Sequence, residues 1–240
     1  MRLHRPIGTL LLLWPTLIAL WLSSEGEPSY NTVLIFVLGV IIMRAAGCVI
    51  NDYADRNIDL HIKRTKNRPL AKKAIAGKNA LQLFIGLLIA AFVLVLQLNT
   101  YTIVLSLAAL GLALIYPFAK RFTHYPQFIL GMAFSWSIPM VYAQTHGVLS
   151  AEAWVLYCSI LFWVIAYDTQ YAMVDKADDL KIGVRSTAIA FGKYDKVIIF
   201  ALQLLALTGL AMLGLYKHLS FNYFLGLMLA LALAIYQQWL

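Results

Sequence analysis

The feature that most constrains this chain is the recurrence of long apolar windows, at about 8–22, 32–50, 80–98, 101–118, 127–143, 151–172, 197–216 and 220–237. Most of them approach the roughly 20 residues that an α-helix needs to cross the hydrocarbon core of a bilayer. Inside hydrocarbon every backbone N–H and C=O must be satisfied within the protein, which leaves only helices or a closed barrel. Barrel strands alternate apolar and polar residues in segments of about ten, and no such alternation occurs here. The expected class is therefore all-α, a polytopic bundle of eight transmembrane helices in one domain over 1–240. Only 12% of the residues are charged and 62% are apolar, whereas about a quarter of a soluble domain is charged. The first window follows Arg2 and Arg5 as in a secretory signal, but Trp14, Pro15 and Trp21 are bulky for one. No small-x-small cleavage site follows and seven more windows do, so it reads as the first span.

Short loops rich in Lys and Arg stay on the cytoplasmic side. Threading eight spans from a cytoplasmic N-terminus puts 1–7, 51–79, 119–126 and 173–196 on that side, and these hold seventeen of the nineteen Lys and Arg. The other two are Arg44, inside a window, and Lys217. Glu25, Glu27 and Glu152 fall on the opposite side, and all eight Asp lie at or near the cytoplasmic one. The net charge of +8 is thus mainly a topology signal with an added affinity for anions. Because these basic residues flank apolar spans and form no nucleic-acid-binding module, nucleic acid is not an expected partner. Cys48 and Cys158 both lie in apolar windows and read as buried, reduced thiols without a disulfide or metal pattern.

Seven of the eight Asp fall in two short stretches, "NDYADRNID" at 51–59 and "YDTQYAMVDKADD" at 167–179. They close the second and sixth windows, so both face the same side of the membrane. On a helix Asn51, Asp55 and Asp59 follow one another at i, i+4 and i+8 as one stripe, and Asp175 and Asp179 form a second. Asp52 falls off the first stripe and reads as a cap or a solvated charge. Carboxylates beside hydrocarbon are costly unless something neutralises them. Facing stripes of hard oxygens suit Mg²⁺, which is usually held by one or two carboxylates together with substrate phosphates. The loops around them carry Lys63, Arg64, Lys66, Arg68, Lys120, Arg121, Lys181 and Arg185. Carboxylates, Mg²⁺ and such cations describe a diphosphate site. At a membrane face, an isoprenyl diphosphate whose tail continues into the bilayer is the fitting ligand. A transporter is the alternative from another class, although its polar residues are expected near the midplane on interrupted helices. A channel has no need of the interleaved cations, and the Asp-Gly-x-x-Ala-Arg text of the CDP-alcohol phosphotransferases is absent.

"NDYADRNID" and "DKADD" resemble the two aspartate motifs of the UbiA superfamily of intramembrane aromatic prenyltransferases, and "YPFAK" resembles its Tyr-x-x-x-Lys element. The longer strings "MRAAGCVINDYADR", "KRTKNRPL", "YPFAKRFTHYPQ" and "YDTQYAMVDKADDLKIGVRSTAIAFG" are similar to the bacterial branch that acts on 4-hydroxybenzoate, and the resemblance covers nearly the whole chain. It implies a fold of nine helices around a cavity, of which the ninth would lie beyond "AIYQQWL". It further implies Mg²⁺-dependent transfer from a polyprenyl diphosphate to 4-hydroxybenzoate, or to another aromatic acceptor, in ubiquinone biosynthesis at the bacterial inner membrane. On this reading Asn51, Asp55, Asp59, Asp175 and Asp179 hold the metal, and Arg64, Arg68, Tyr116, Lys120 and Lys181 hold the diphosphate. Arg44, about 10 Å deeper than Asn51 by helical rise, or Arg121 at the rim, anchors the aromatic carboxylate. Asp168 orients the ring hydroxyl or accepts its proton.

Overall fold

A computed structural model of the chain describes residues 1, 6–62 and 65–239. It is helical, with no strand among the described residues: α1 (Ile7–Ser23), α2 (Tyr30–Asp55), α3 (Gly77–Val95), α4 (Thr100–Ala119), α5 (Pro126–Ser135), α6 (Ser137–His146), α7 (Ala151–Ile182), α8 (Thr187–Phe191), α9 (Asp195–Tyr216) and α10 (Phe221–Trp239). Among the described residues, six helical stretches are long and apolar enough to cross a membrane: α2, α3, α4, α7, 187–216 and α10. Eight unbroken spans are not reached by that measure. The helix α1 is a shorter apolar helix of 17 residues, and the window at 127–143 is divided at Trp136 into α5 and α6, of 10 residues each. Pro139 accounts for the division, since it has no N–H to offer the carbonyl of Ser135 and its ring crowds that carbonyl.

The helix starts follow local chemistry. Ser29, Asn99 and Ser150 accept hydrogen bonds from the backbone N–H of Thr32, Thr102 and Ala153, closing the first turns of α2, α4 and α7. Asn99 also donates from Nδ2 to the carbonyl of Ala143 at 2.8 Å, tying the start of α4 to the end of α6. At its far end α7 stops on Gly183, whose φ of 70° lets its N–H reach back to the carbonyl of Asp179.

The core sits between α7 and the helices packed on it, α5, α6 and α9, with α1 and α2 completing the ring. Hydrocarbon solvates an apolar side chain as well as a neighbouring helix does, so close backbone approach matters more here than in a soluble bundle. Gly131 on α5 shows it: a Cβ there would stand 2.8 Å from Cδ1 and 3.3 Å from the carbonyl oxygen of Leu161 on α7. At the end of the bundle formed by the start of α7, Glu152 accepts from the hydroxyl of fully buried Tyr142 at 2.5 Å and pairs with Lys217 at 3.0 Å. Lys217, the one loop cation outside the basic segments, therefore answers a carboxylate in the first turn of α7, where a negative charge also favours the helix dipole.

Glu152→Ala leaves a buried hydroxyl and a partly buried ammonium without their acceptor. It is expected to cost about 3 kcal/mol, and Tyr142→Phe about 1 kcal/mol, both read as lowered unfolding midpoints in detergent.

Candidate active site

Two helices carry most of the site. The helix α2 is 26 residues long and α7 is 32, so each runs from one end of the bundle to the other and brings its C-terminal acids to the same place. Between them lies a cavity of about 840 Å³. Toward the start of α2 it is lined by apolar side chains such as Ile35, Phe36 and Val40, joined by Leu88 and Val95 of α3, Leu98 in the turn after it, and Leu107 and Leu110 of α4. Toward the ends of α2, α4 and α7 it becomes polar, with Asn51, Asp52, Asp55, Asp59, Arg68, Lys120, Asp175, Asp179 and Arg185 in its wall. Both aspartate stretches thus meet in one cavity, together with Tyr116 one turn before Lys120.

The first acidic stretch differs from a single helical stripe. The helix α2 ends at Asp55, where Ile58 N–H closes onto the carbonyl of Asp55 at 2.8 Å, and Asp59 stands in a separate 3-10 turn, Asp59–His61. The turn, rather than a continued helix, delivers Asp59 to the cavity. Asp52 is buried and lines it as well, and Arg68 reaches both Asp59 at 2.8 Å and Asp52 at 3.2 Å. Asp52 and Asp55 are i and i+3 on one helix and so share a face, which a stripe drawn only through Asn51 and Asp55 omits. Lys120 pairs with Asp55 through Oδ2 at 2.6 Å. The other oxygen of that carboxylate, Oδ1, is buried and accepts no hydrogen bond. Burial pushes the Asp59 carboxyl above its ordinary range. Arg68 and the Thr65 hydroxyl pull it back, and the neighbouring Asp55 adds to the rise. A carboxylate in that position gains more from a bound cation than a solvated one does.

On α7, Asp168, Asp175 and Asp179 are spaced at seven and four residues and all line the cavity. Lys181 does not. It stands two residues beyond Asp179, about 200° round the helix, with its side chain 75% exposed and 3.7 Å from Asp178. The cation that α7 contributes is instead Arg185, which the turn at Gly183 brings back toward the cavity. Arg121 also falls outside the main cavity, because α4 ends at Ala119 and its guanidinium donates to the carbonyl of Ala54 at 2.6 Å. Arg64 lies outside the described residues. Among those described, no three His, Cys, Asp or Glu side chains converge closely enough to hold a metal by themselves. The facing stripes are therefore not a closed four-carboxylate clamp. The set still fits a hard cation bridged by phosphate oxygens, since it supplies hard donors on both walls and, in Asp55 Oδ1, a buried oxygen with no partner.

Deeper in the cavity, Arg44 donates from Nη1 to Cys48 Sγ, while its Nε is buried without an acceptor. The hydroxyl of Tyr167, on which both Arg44 and Asp168 act electrostatically, is likewise buried without a partner. Unsatisfied polar atoms of this kind are costly in a closed core and fit a place where a ligand supplies the missing partner. Gly8 of α1 makes room for the guanidinium, since a Cβ there would come within 2.2 Å of Arg44 Nη2. Neither Gly8 nor Tyr167 carries a signal in the sequence that marks it for the site.

The chain belongs to the UbiA prenyltransferase family, which it matches over residues 12–240. Within that class it is 55% identical over 239 residues to the 4-hydroxybenzoate octaprenyltransferase of Aliivibrio fischeri (strain ATCC 700601 / ES114), covering 100% of this chain and 84% of that protein. It is 57% identical to the 4-hydroxybenzoate octaprenyltransferase of Tolumonas auensis with the same coverage. Its fold is that of an apo UbiA homologue from Aeropyrum pernix K1, with a TM-score of 0.86 at 24% identity over 98% of this chain and 88% of that one. A UbiA homologue from Archaeoglobus fulgidus bound to GPP and Mg²⁺ follows at a TM-score of 0.79 and 18% identity, over 99% and 85% of the two chains.

The atoms that a Cβ at position 8 would meet belong to the mobile end of a long side chain. Gly8→Ala is therefore expected to fold normally and to displace the guanidinium, so that Gly8→Ala and Arg44→Ala are expected to change the kinetics alike. Steady-state kinetics beside a melting curve in detergent check both halves of that outcome.

Proposed function

We propose that this chain transfers a polyprenyl group from a polyprenyl diphosphate to the ring carbon ortho to the hydroxyl of 4-hydroxybenzoate, within a bacterial inner membrane. The observation that carries this is one cavity whose apolar length suits a prenyl chain and whose polar mouth gathers both aspartate stretches with Arg68 and Lys120. The named activity of relatives at 55% and 57% identity supports it. The distribution of Lys and Arg supports a cytoplasmic position for the aspartates, and the eight helical rods, with α5 and α6 as two halves of one, are read as crossing the bilayer.

Asp55, Asp59, Asp175 and Asp179, with Asn51, would hold Mg²⁺, which offsets the charge of the diphosphate and makes it a better leaving group. Arg68, Lys120 and Arg185 bind the diphosphate oxygens and stabilise the charge that grows on them as the bond to prenyl C1 breaks. Tyr116 stands beside them at the mouth. The apolar walls hold the tail and keep water from the allylic cation, which would otherwise end as an alcohol. Arg44 holds the carboxylate of 4-hydroxybenzoate, with Tyr167 at its side, so that the ring faces prenyl C1. The ring carbon forms its bond to C1, diphosphate departs, and loss of the ring proton restores aromaticity. Asp168, next to Tyr167 in the same wall, is placed to orient the hydroxyl or take that proton.

Membranes containing the chain, incubated with 4-hydroxybenzoate, Mg²⁺ and prenyl diphosphates of several lengths, are expected to yield a product heavier by one prenyl group in mass spectrometry. EDTA should abolish it and added Mg²⁺ restore it, while Asp55→Ala and Asp175→Ala each lose more than nine-tenths of the turnover, about 1.4 kcal/mol or more. Undiminished turnover in EDTA would remove the metal from the scheme.

Arg44→Lys keeps the charge and loses the planar fork. It is expected to raise the KM for 4-hydroxybenzoate at least tenfold and that for the prenyl diphosphate by less than about twofold. Equal effects on the two substrates would return Arg44 to a packing role.

A further inference from the structure

Behind Lys120 lies a second, smaller cavity of about 540 Å³, a wedge where three chain connections meet. The turn after α2 gives it Asn57 and Ile58, the end of α4 gives Lys120 and Arg121, and the turn after α7 gives Gly183, Val184 and Arg185. Three of the seven lining residues are cations and none is acidic. Lys120, Val184 and Arg185 line the main cavity as well, so the two spaces are neighbours that share a wall of positive charge.

The two arginines are held in place by neutral groups. Arg121 donates from Nη2 to the carbonyl of Ala54 at 2.6 Å, and Arg185 from Nη1 to the carbonyl of Phe122 at 3.0 Å. The first bond caps a carbonyl in the last turn of α2 and the second meets a carbonyl in the loop after α4, but each uses one of the five N–H donors of a guanidinium and neutralises none of its charge. Among the described residues neither arginine has a carboxylate within ion-pair distance, whereas Arg68, Lys120 and Lys176 each have one. Both arginines are solvent-exposed, but each is fixed by a backbone acceptor and borders an open cleft beside the reaction centre.

We propose that this rim cavity is a second anion site, which takes up inorganic diphosphate as it leaves the main cavity. The inference rests on the prenyl-transfer reading for the identity of the anion. Bond cleavage at C1 yields one apolar product, which continues into the bilayer, and one soluble polyanion, which has to reach water through the polar mouth. Two arginines with no carboxylate partner, beside Lys120 with its Asp55 pair, match a multiply charged oxyanion better than a monocarboxylate. Lys120, shared by both spaces, is positioned to pass the anion from one to the other. Arg121 is thereby assigned to the departing diphosphate rather than to the aromatic acid.

The test is calorimetric titration of inorganic diphosphate into the full chain in detergent with EDTA present, which suppresses metal-dependent binding at the aspartates. The wild type should bind one diphosphate, Arg121→Gln should weaken that binding about tenfold, Arg121→Lys should restore part of it, and excess 4-hydroxybenzoate should not compete. Size-exclusion profiles matching the wild type confirm that the variants are folded. No metal-free binding by the wild type, an unchanged affinity in folded Arg121→Gln, or displacement by 4-hydroxybenzoate would each overturn the assignment. Loss of the prenyl-transfer reading would appear elsewhere, as absence of prenylated product in the mass spectra.

Discussion

Charge held beside hydrocarbon has to be balanced by nearby opposite charge, because the field of an isolated ion is little screened there and its solvation by water is lost. The polar end of this bundle is organised around that requirement. Asp55 and Asp59 are each only 3% exposed, and each is met by a cation from a different part of the chain, Lys120 from the end of α4 and Arg68 from the connection between α2 and α3. These pairs hold the ends of α2 and α4 together around the mouth of the cavity. The opposite end repeats the device on a smaller scale, with Glu152 between Tyr142 and Lys217.

Between those two ends the walls are nearly all apolar, and the chemistry depends on the contrast. The polar mouth is electrostatically suited to a diphosphate, while the interior offers a prenyl chain the same surroundings as lipid. The few polar atoms that do penetrate the interior, Arg44 and Tyr167 among them, are held by local contacts and retain unsatisfied donors. In a purely structural core such atoms would be replaced by carbon or paired. Here they give the cavity a second polar point, removed from the aspartates by about two turns of helix, which is what a two-substrate site with one long apolar ligand requires.

Much of this was legible in the sequence. The apolar windows located α2, α3, α4, α7, α9 and α10, because a bilayer leaves the backbone one way to satisfy its hydrogen bonds in a single segment. The concentration of Asp in two stretches located the mouth, since carboxylates beside hydrocarbon have few other uses. The reading failed where the chain departs from uniform helix. Projecting α2 past Asp55 put Asp59 on the right wall for the wrong reason, and dropping Asp52 ignored the i, i+3 face. Lys181 looked equivalent to Arg185 because both follow the second motif, yet α7 runs one residue past Lys181 and then turns at Gly183.

What the sequence by itself determined is therefore the class of fold, the kind of chemistry and the two helices that carry it. Those follow from composition and periodicity, which act within single segments, and from motifs that the family shares. Only the tertiary structure decided which cations meet which carboxylates, that Arg44 enters the cavity while Arg121 borders the rim, and that Gly8 on another helix clears the space for the guanidinium. Each of these depends on the direction of a long side chain and on the packing of helices far apart in sequence. Periodicity along one helix carries no information about the angle or depth at which another helix meets it.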